Sequence, residues 1–207
     1  MSSRHKPAAG GQASMPARAV TQGPQEVRIV GGRWRRSKLP VAHKPGLRPT
    51  PDRVRETLFN WLGQDLNGWR VLDAFAGSGA LGLEAASRGA AEVTLLERDP
   101  QLVASLKSSL ARLNKDGAAQ VRIEQADALA WMGRSAPASL DLVLLDPPFA
   151  ADLFTAALQA ARPLLGEGGL IYLESPEPVV LAPALGLEVW REGRAGAVHY
   201  RLLRALG

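Results

Sequence analysis

Val71-Leu72-Asp73-Ala74-Phe75-Ala76-Gly77-Ser78-Gly79-Ala80-Leu81-Gly82 is the stretch that decides the fold. An apolar run ends in a carboxylate, a glycine-broken loop follows, and the chain passes straight into the helix-forming Leu83-Glu84-Ala85-Ala86. The glycines fit G-x-G-x-x-G between a strand and a helix, and Glu97 ends the next strand candidate 20 residues beyond Gly77. This is the arrangement of a nucleoside-cofactor site, in which backbone approaches the ligand at the glycines and an acid holds ribose hydroxyls. Phe75, Gly77, Ser78, Gly79, Glu97 and the adjacent Arg98 are therefore candidate cofactor residues.

Asp73 bears on which cofactor it is. A dinucleotide sets a pyrophosphate on the helix N-terminus, and a carboxylate entering the same loop repels it. S-adenosylmethionine carries an ammonium and a sulfonium, which a carboxylate favours. After the third strand candidate, Asp127-Ala128 brings another carboxylate to where an adenine amino group could be read, although Asp127 serves equally as the N-cap of the following helix.

Outward from this loop, strand and helix alternate. Strand candidates are 69–74, 92–97, 120–125, 140–145 and 169–173, with helices near 80–88, 100–114, 127–133 and 152–164. That alternation predicts a doubly wound, mostly parallel α/β sheet. Two last runs, 187–191 and 197–203, separated by Gly193 to Gly196, read as a closing hairpin added antiparallel at one edge.

The run Leu140 to Leu145 stops at Asp146-Pro147-Pro148-Phe149. Two prolines donate no backbone hydrogen bonds, so the chain must leave the sheet there with carbonyls free of competing donors. The Asp146 carboxylate and those carbonyls form an acceptor-only cluster beside an aromatic plane, suited to an exocyclic amino group on a flat heterocycle. Asp146, Pro147, Pro148 and Phe149 are the candidate catalytic residues. The plainer alternative is a capped Pro-Pro turn with Phe149 in the core.

Charge is uneven along the 207 residues. Residues 1–55 hold 12 Lys/Arg against 2 Asp/Glu and the remainder 13 against 18, so a net +10 in front precedes a net −5 behind. A basic front end on a near-neutral body points to a polyanionic partner. Residues 1–26, rich in Ala, Gly, Pro, Gln and Ser, read as a disordered tail in which Met15 is an alternative start. Residues 27–62 read as a basic arm with a linking helix, and 63–207 as the catalytic domain. Two short strand-like runs between Glu26 and Val41 flank a glycine-broken centre and predict a hairpin or bulged ribbon. It carries Arg28, Arg33, Arg35, Arg36 and Lys38, with Trp34 placed either to stack on a base or to pack inward. In Leu47 to Leu62, Thr50 as N-cap, Pro51 at the first helical position and Val54, Leu58, Trp61 and Leu62 at 3–4 spacing predict an amphipathic helix. Arg48, Arg53 and Arg55 complete the set expected to meet phosphates, and Thr50 is a further candidate for cofactor contact.

Zero cysteines exclude disulfides and thiolate metal sites, and three scattered histidines have no metal-ligand spacing, so no metal is expected. No apolar run approaches the ~20 residues that span a bilayer, and no signal-peptide segment is evident. A cytoplasmic protein with no membrane partner is the expectation.

Asp73 to Gly82, Glu97, Asp127 and Asp146 to Phe149, in this order, resemble the motifs of Rossmann-like, S-adenosylmethionine-dependent amino methyltransferases. Over 27–205 the chain is similar to the bacterial RsmD family, which methylates a guanine N2 of 16S ribosomal RNA. The resemblance is carried by Arg28-Ile29-Val30-Gly31-Gly32, Leu47-Arg48-Pro49-Thr50, Arg53 to Leu62, Phe75 to Ala85, Ser87-Arg88-Gly89-Ala90 and Asp146-Pro147-Pro148-Phe149. It implies a seven-stranded sheet of order 3-2-1-4-5-7-6, S-adenosylmethionine as cofactor, a partly assembled small ribosomal subunit as substrate, and a monomer. A DNA adenine-N6 or cytosine-N4 methyltransferase shares the acceptor logic, but the chain is short for an inserted target-recognition domain. A non-catalytic RNA-binding protein on the same fold is the alternative of another class, and a dehydrogenase comes last because of Asp73.

Overall fold

The computed structural model describes residues 25–42 and 50–206. The expected tail, Met15 and Arg48 lie outside them, apart from the tail's last two residues. Seven strands form one sheet: β3 Arg70–Asp73, β4 Glu92–Glu97, β5 Gln120–Gln125, β6 Leu140–Leu145, β7 Leu165–Ser175, β8 Leu187–Ala195 and β9 Val198–Ala205. Their spatial order is β5-β4-β3-β6-β7-β9-β8, and β9 runs antiparallel to both neighbours. This is the order the resemblance implied. β3 and β6 are adjacent while β4 and β5 extend the other way, so the sheet has its topological switch point between the glycine loop and Asp146.

Alternation along the strands sorts two cores. Val71, Leu142, Leu144, Leu170 and Tyr172 face helices α1 Asp52–Trp61, α2 Gly82–Ser87 and α3 Pro100–Leu113. Leu72, Val143, Leu145, Ile171 and Leu173 face α4 Ala128–Arg134 and α5 Phe154–Ala161. A buried parallel sheet needs apolar residues at both parities, and 140–145 shows that run.

The N-terminal ribbon pairs β1 Gln25–Arg28 with β2 Lys38–Val41 in antiparallel register, Val27 opposite Leu39. It does not project as a separate arm. Val27, Ile29, Trp34, Leu39 and Val41 are buried in the first core. The ribbon is also tied to α2: Arg33 N donates to the Ser87 carbonyl at 2.8 Å, Trp34 N to Ser87 Oγ at 2.9 Å, and Ser87 Oγ to the Gly31 carbonyl at 2.7 Å. Gly32 has φ 70°, and a Cβ there would collide with the Ser87 carbonyl, so both backbone and space require glycine.

Several boundaries differ from expectation. Pro51, not Thr50, is the N-cap of α1, and no side chain caps the helix. Thr50 instead turns its hydroxyl to a buried carboxylate, described below. α5 is shorter than 152–164, because single 3-10 turns at Phe149–Ala151 and Arg162–Leu164 flank it. Its continuation meets Pro163. β7 begins at Leu165 rather than 169 because the register shift between Leu140 and Leu142 absorbs the glycine-rich 166–169. The closing hairpin turns at Ala195 to Val198, and Gly193 is a strand residue opposite Tyr200, whose ring occupies the space a Cβ would take.

Candidate active site

The C-terminal ends of β3, β4, β6 and β7 lie together at one end of the sheet, where a doubly wound fold forms its cleft at the switch point. Asp73 ends β3 at 1% exposure and accepts a hydrogen bond from Gly82 N at 2.8 Å, while Phe75 N supplies another. The carboxylate therefore staples the loop to the start of α2. Burial raises its pKa to about 7, against the lowering effect of those two bonds. Gly77 and Gly79 hold φ of 52° and 79°, the left-handed backbone that the glycine spacing requires.

Glu97, at the end of β4, accepts from Gly77 N through Oε2 at 3.0 Å and from Asp99 N through Oε1 at 2.9 Å. It ties the glycine loop to the loop before α3 and keeps lone-pair capacity for a further donor. Asp99 caps α3 by accepting from Gln101 N and Leu102 N. Arg98 is exposed, and its carbonyl accepts from Gln125 Nε2 at 3.3 Å. Asp127 is an exposed N-cap of α4, accepting from Ala130 N at 2.9 Å, with Ala128 buried behind it. Phe75 and Ser78 are half-buried.

Asp146 stands one residue past β6, half-buried, followed by buried Pro147, exposed Pro148 and Phe149 at 40% exposure. The Phe149 ring packs beside Phe154, centroids 6.2 Å apart and tilted by 50°, and keeps part of its surface exposed. Burial first, then the charge of Glu174, then that of Asp73, push the Asp146 carboxyl well above the usual carboxylate range.

Glu174 and Tyr172 were not among the residues singled out from sequence. Glu174 is 3% exposed near the end of β7, and its Oε1 accepts from Thr50 Oγ1 at 2.7 Å and Tyr172 Oη at 2.9 Å. Thr50 thus reaches the cleft through a carboxylate rather than by capping α1. The available signal was an apolar run ending in an acid, Leu170-Ile171-Tyr172-Leu173-Glu174, the same grammar as at Asp146.

Two residues expected at the RNA are elsewhere. Arg55 is fully buried: Nη1 meets Glu84 Oε2 at 3.1 Å, Nη2 meets Asp52, and Nε donates to the Thr50 carbonyl at 3.2 Å. No phosphate can reach it. Trp34 is 7% exposed and packs in the core, so it offers no stacking face. Arg28, Arg33, Arg35, Arg36, Lys38 and Arg53 are exposed, with Lys38 Nζ 2.7 Å from Glu26 and Arg28 Nε 3.9 Å from Asp52. Arg112, unremarked in the sequence, joins the ribbon by donating from Nη2 to the Lys38 carbonyl at 2.6 Å, and with Arg36 and Lys38 it lines a groove there.

Among the described residues no group of three or more His, Cys, Asp or Glu could hold a metal. No described helix is long and apolar enough to cross a membrane. The acceptor set at the strand ends, Asp73, Glu97, Asp127 and Asp146 with Arg98 as the nearby cation, suits a cationic nucleoside far better than a pyrophosphate.

The family described as "Conserved hypothetical protein 95" matches residues 27–204. The chain is 44% identical over 184 residues to ribosomal RNA small subunit methyltransferase D of Escherichia coli, covering 87% of this chain and 90% of that protein. It is 41% identical over 180 residues to the Haemophilus influenzae protein of the same name, covering 86% and 93%. A solved candidate methyltransferase from Escherichia coli superposes with a TM-score of 0.74 at 43% identity, over 87% of this chain and 98% of that one. A T. thermophilus 16S rRNA guanine-N2 methyltransferase, solved with S-adenosylmethionine and guanosine, has a TM-score of 0.63 at 25% identity, over 88% of this chain and 50% of that one. With the sheet order, the glycine loop and Asp-Pro-Pro-Phe in place, these matches show that the chain belongs to the RsmD family of small-subunit ribosomal RNA methyltransferases.

Proposed function

We propose that the chain transfers the methyl group of S-adenosylmethionine to the exocyclic N2 of one guanine in 16S ribosomal RNA, within a partly assembled small subunit. The observation that carries this is the position of Asp146 and the Pro147 carbonyl, across the switch point between β3 and β6 from the glycine loop. The cofactor, when bound, supplies an electrophilic methyl on a sulfonium. Glu97 would take the ribose hydroxyls, Asp127 and Ala128 would flank the adenine, and Phe75, Gly77, Ser78 and Gly79 would shape the loop around the nucleoside.

Guanine N2 is a weak nucleophile because its lone pair is delocalised into the ring. Asp146 and the Pro147 carbonyl accept its two N–H groups and favour the pyramidal nitrogen on which positive charge develops, so the interaction strengthens in the transition state. Once methylated, the nitrogen is strongly acidic and sheds its proton to water or to the Asp146 carboxylate, so no strong general base is required. Phe149 stacks on the base, which must be unpaired or flipped to enter. Arg28, Arg33, Arg35, Arg36, Lys38 and Arg53 position the RNA through its phosphates, and selection of one nucleotide rests on RNA shape.

The test is transfer of labelled methyl from S-adenosylmethionine to small subunits from cells lacking this gene, with nucleoside analysis. N2-methylguanosine at a single site is expected. Label on adenine or cytosine would overturn the reading.

A further inference from the structure

Glu174 is a buried acid that the mechanism above leaves without a task. Leu145 pairs with Leu173 in the parallel register of β6 and β7. Asp146 and Glu174, one step further along, are thus neighbours at the same end of adjacent strands, whose backbones run about 4.8 Å apart across the sheet. Strand parity puts both on the face that carries Leu144 and Tyr172. The two hydroxyls that hold Glu174, from Thr50 and Tyr172, both donate to Oε1. Among the described residues, none donates to Oε2. Glu174 is 3% exposed with Oε1 held by two hydroxyls, and Oε2, to which no described residue donates, has acceptor capacity left for a ligand.

We propose that Glu174 is a specificity-determining residue that accepts the N1–H of the target guanine through Oε2, beside the N2–H that Asp146 accepts. The proposal rests on the guanine reading above. Guanine presents N1–H and the 2-amino group as adjacent donors, whereas adenine N1 and cytosine N3 are acceptors that a carboxylate repels. Two carboxylates on neighbouring strands match the first pattern and reject the others. Burial pushes both up, and Glu174 pushes Asp146 further. A base bringing two donors offsets that cost, which an empty cleft bears alone.

The experiment uses small subunits reconstituted with 16S RNA carrying either guanine or 2-aminopurine at the methylated position. 2-Aminopurine keeps the amino group but offers an acceptor at N1. The wild-type chain should prefer guanine by at least about tenfold in kcat/KM, the worth of one such hydrogen bond. Glu174→Gln, whose amide can donate to that acceptor, should lose most of the preference through a fall on guanine, with cofactor affinity within about threefold. An unchanged preference would overturn the proposal. So would a tenfold loss of cofactor affinity, which would assign Glu174 to the cofactor. Should Glu174→Gln not fold, Tyr172→Phe removes one hydroxyl from Oε1 and reads the same ratio: a partial shift supports the proposal and none overturns it. Nucleoside analysis of the wild-type reaction separately reports whether guanine is the base at all.

Discussion

The Arg55 guanidinium and the Glu84 carboxylate meet at 3.1 Å with both side chains fully withdrawn from solvent. Glu84 also accepts from Val30 N at 2.8 Å, Gly31 N at 2.7 Å and Arg88 Nε at 2.9 Å, and the Arg88 guanidinium lies 4.6 Å from the centre of the Phe59 ring. One carboxylate on α2 thus joins the ribbon, α1 and its own helix. Glu84→Ala should cost about 3–5 kcal/mol in urea unfolding, because it strands buried cations and two backbone donors. Adding Arg55→Met should cost less than the sum of the two single changes. Strict additivity would show that the pair is not coupled.

Asp146→Ala removes the acceptor proposed for the reacting nitrogen without touching the glycine loop. We expect kcat to fall by about 10²–10³-fold or more, while the calorimetric Kd for S-adenosylmethionine stays within about threefold. Turnover at the wild-type rate would sink the proposed mechanism.

Asp73 should make cofactor binding depend on pH. Its folded pKa is raised from 3.8 to about 7, so the folded chain holds this proton longer than the unfolded chain does. Its contribution to stability therefore declines as pH climbs from 3.8 to about 7 and is level beyond. A cationic cofactor favours the ionised form and reverses the effect. Affinity for S-adenosylmethionine should rise about tenfold between pH 6 and pH 8, with about half a proton released on binding at pH 7. Calorimetry in two buffers of different ionisation enthalpy measures that release, and none would mean that the cofactor's charge does not sense Asp73.

Arg33, Arg35 and Arg36 are exposed where the ribbon turns. Replacing all three by Gln should make the plot of log affinity for small-subunit RNA against log salt shallower by about 2–3 units, since each phosphate contact contributes about 0.7–0.9. Urea unfolding should change by no more than about 0.5 kcal/mol per site. An unchanged slope would place the RNA on another face.

Much of this was legible in the order of residues. The glycine loop, Glu97 and Asp-Pro-Pro-Phe are local signals, because backbone freedom at glycine and missing donors at proline act within a few residues of themselves. The alternation of strands and helices is equally local, and it yields a doubly wound sheet once short right-handed crossovers are required. Charge was different. Arg53 and Arg55 lie two residues apart on α1, yet one is exposed and the other wholly buried. Helical spacing sets Arg55 on the stripe of Leu58, Phe59 and Leu62, but a buried guanidinium also needs a buried carboxylate, and that partner, Glu84, is 29 residues away. Thr50 shows the same dependence: its local reading is an N-cap, but a buried carboxylate 124 residues on competes for the hydroxyl and takes it. Trp34 turned inward because the ribbon docks on α2 through Ser87. The sequence alone determined which elements form and where the chemistry ends up along them. Only the tertiary structure decided which charges leave water, since a buried charge persists only where a distant partner compensates its desolvation.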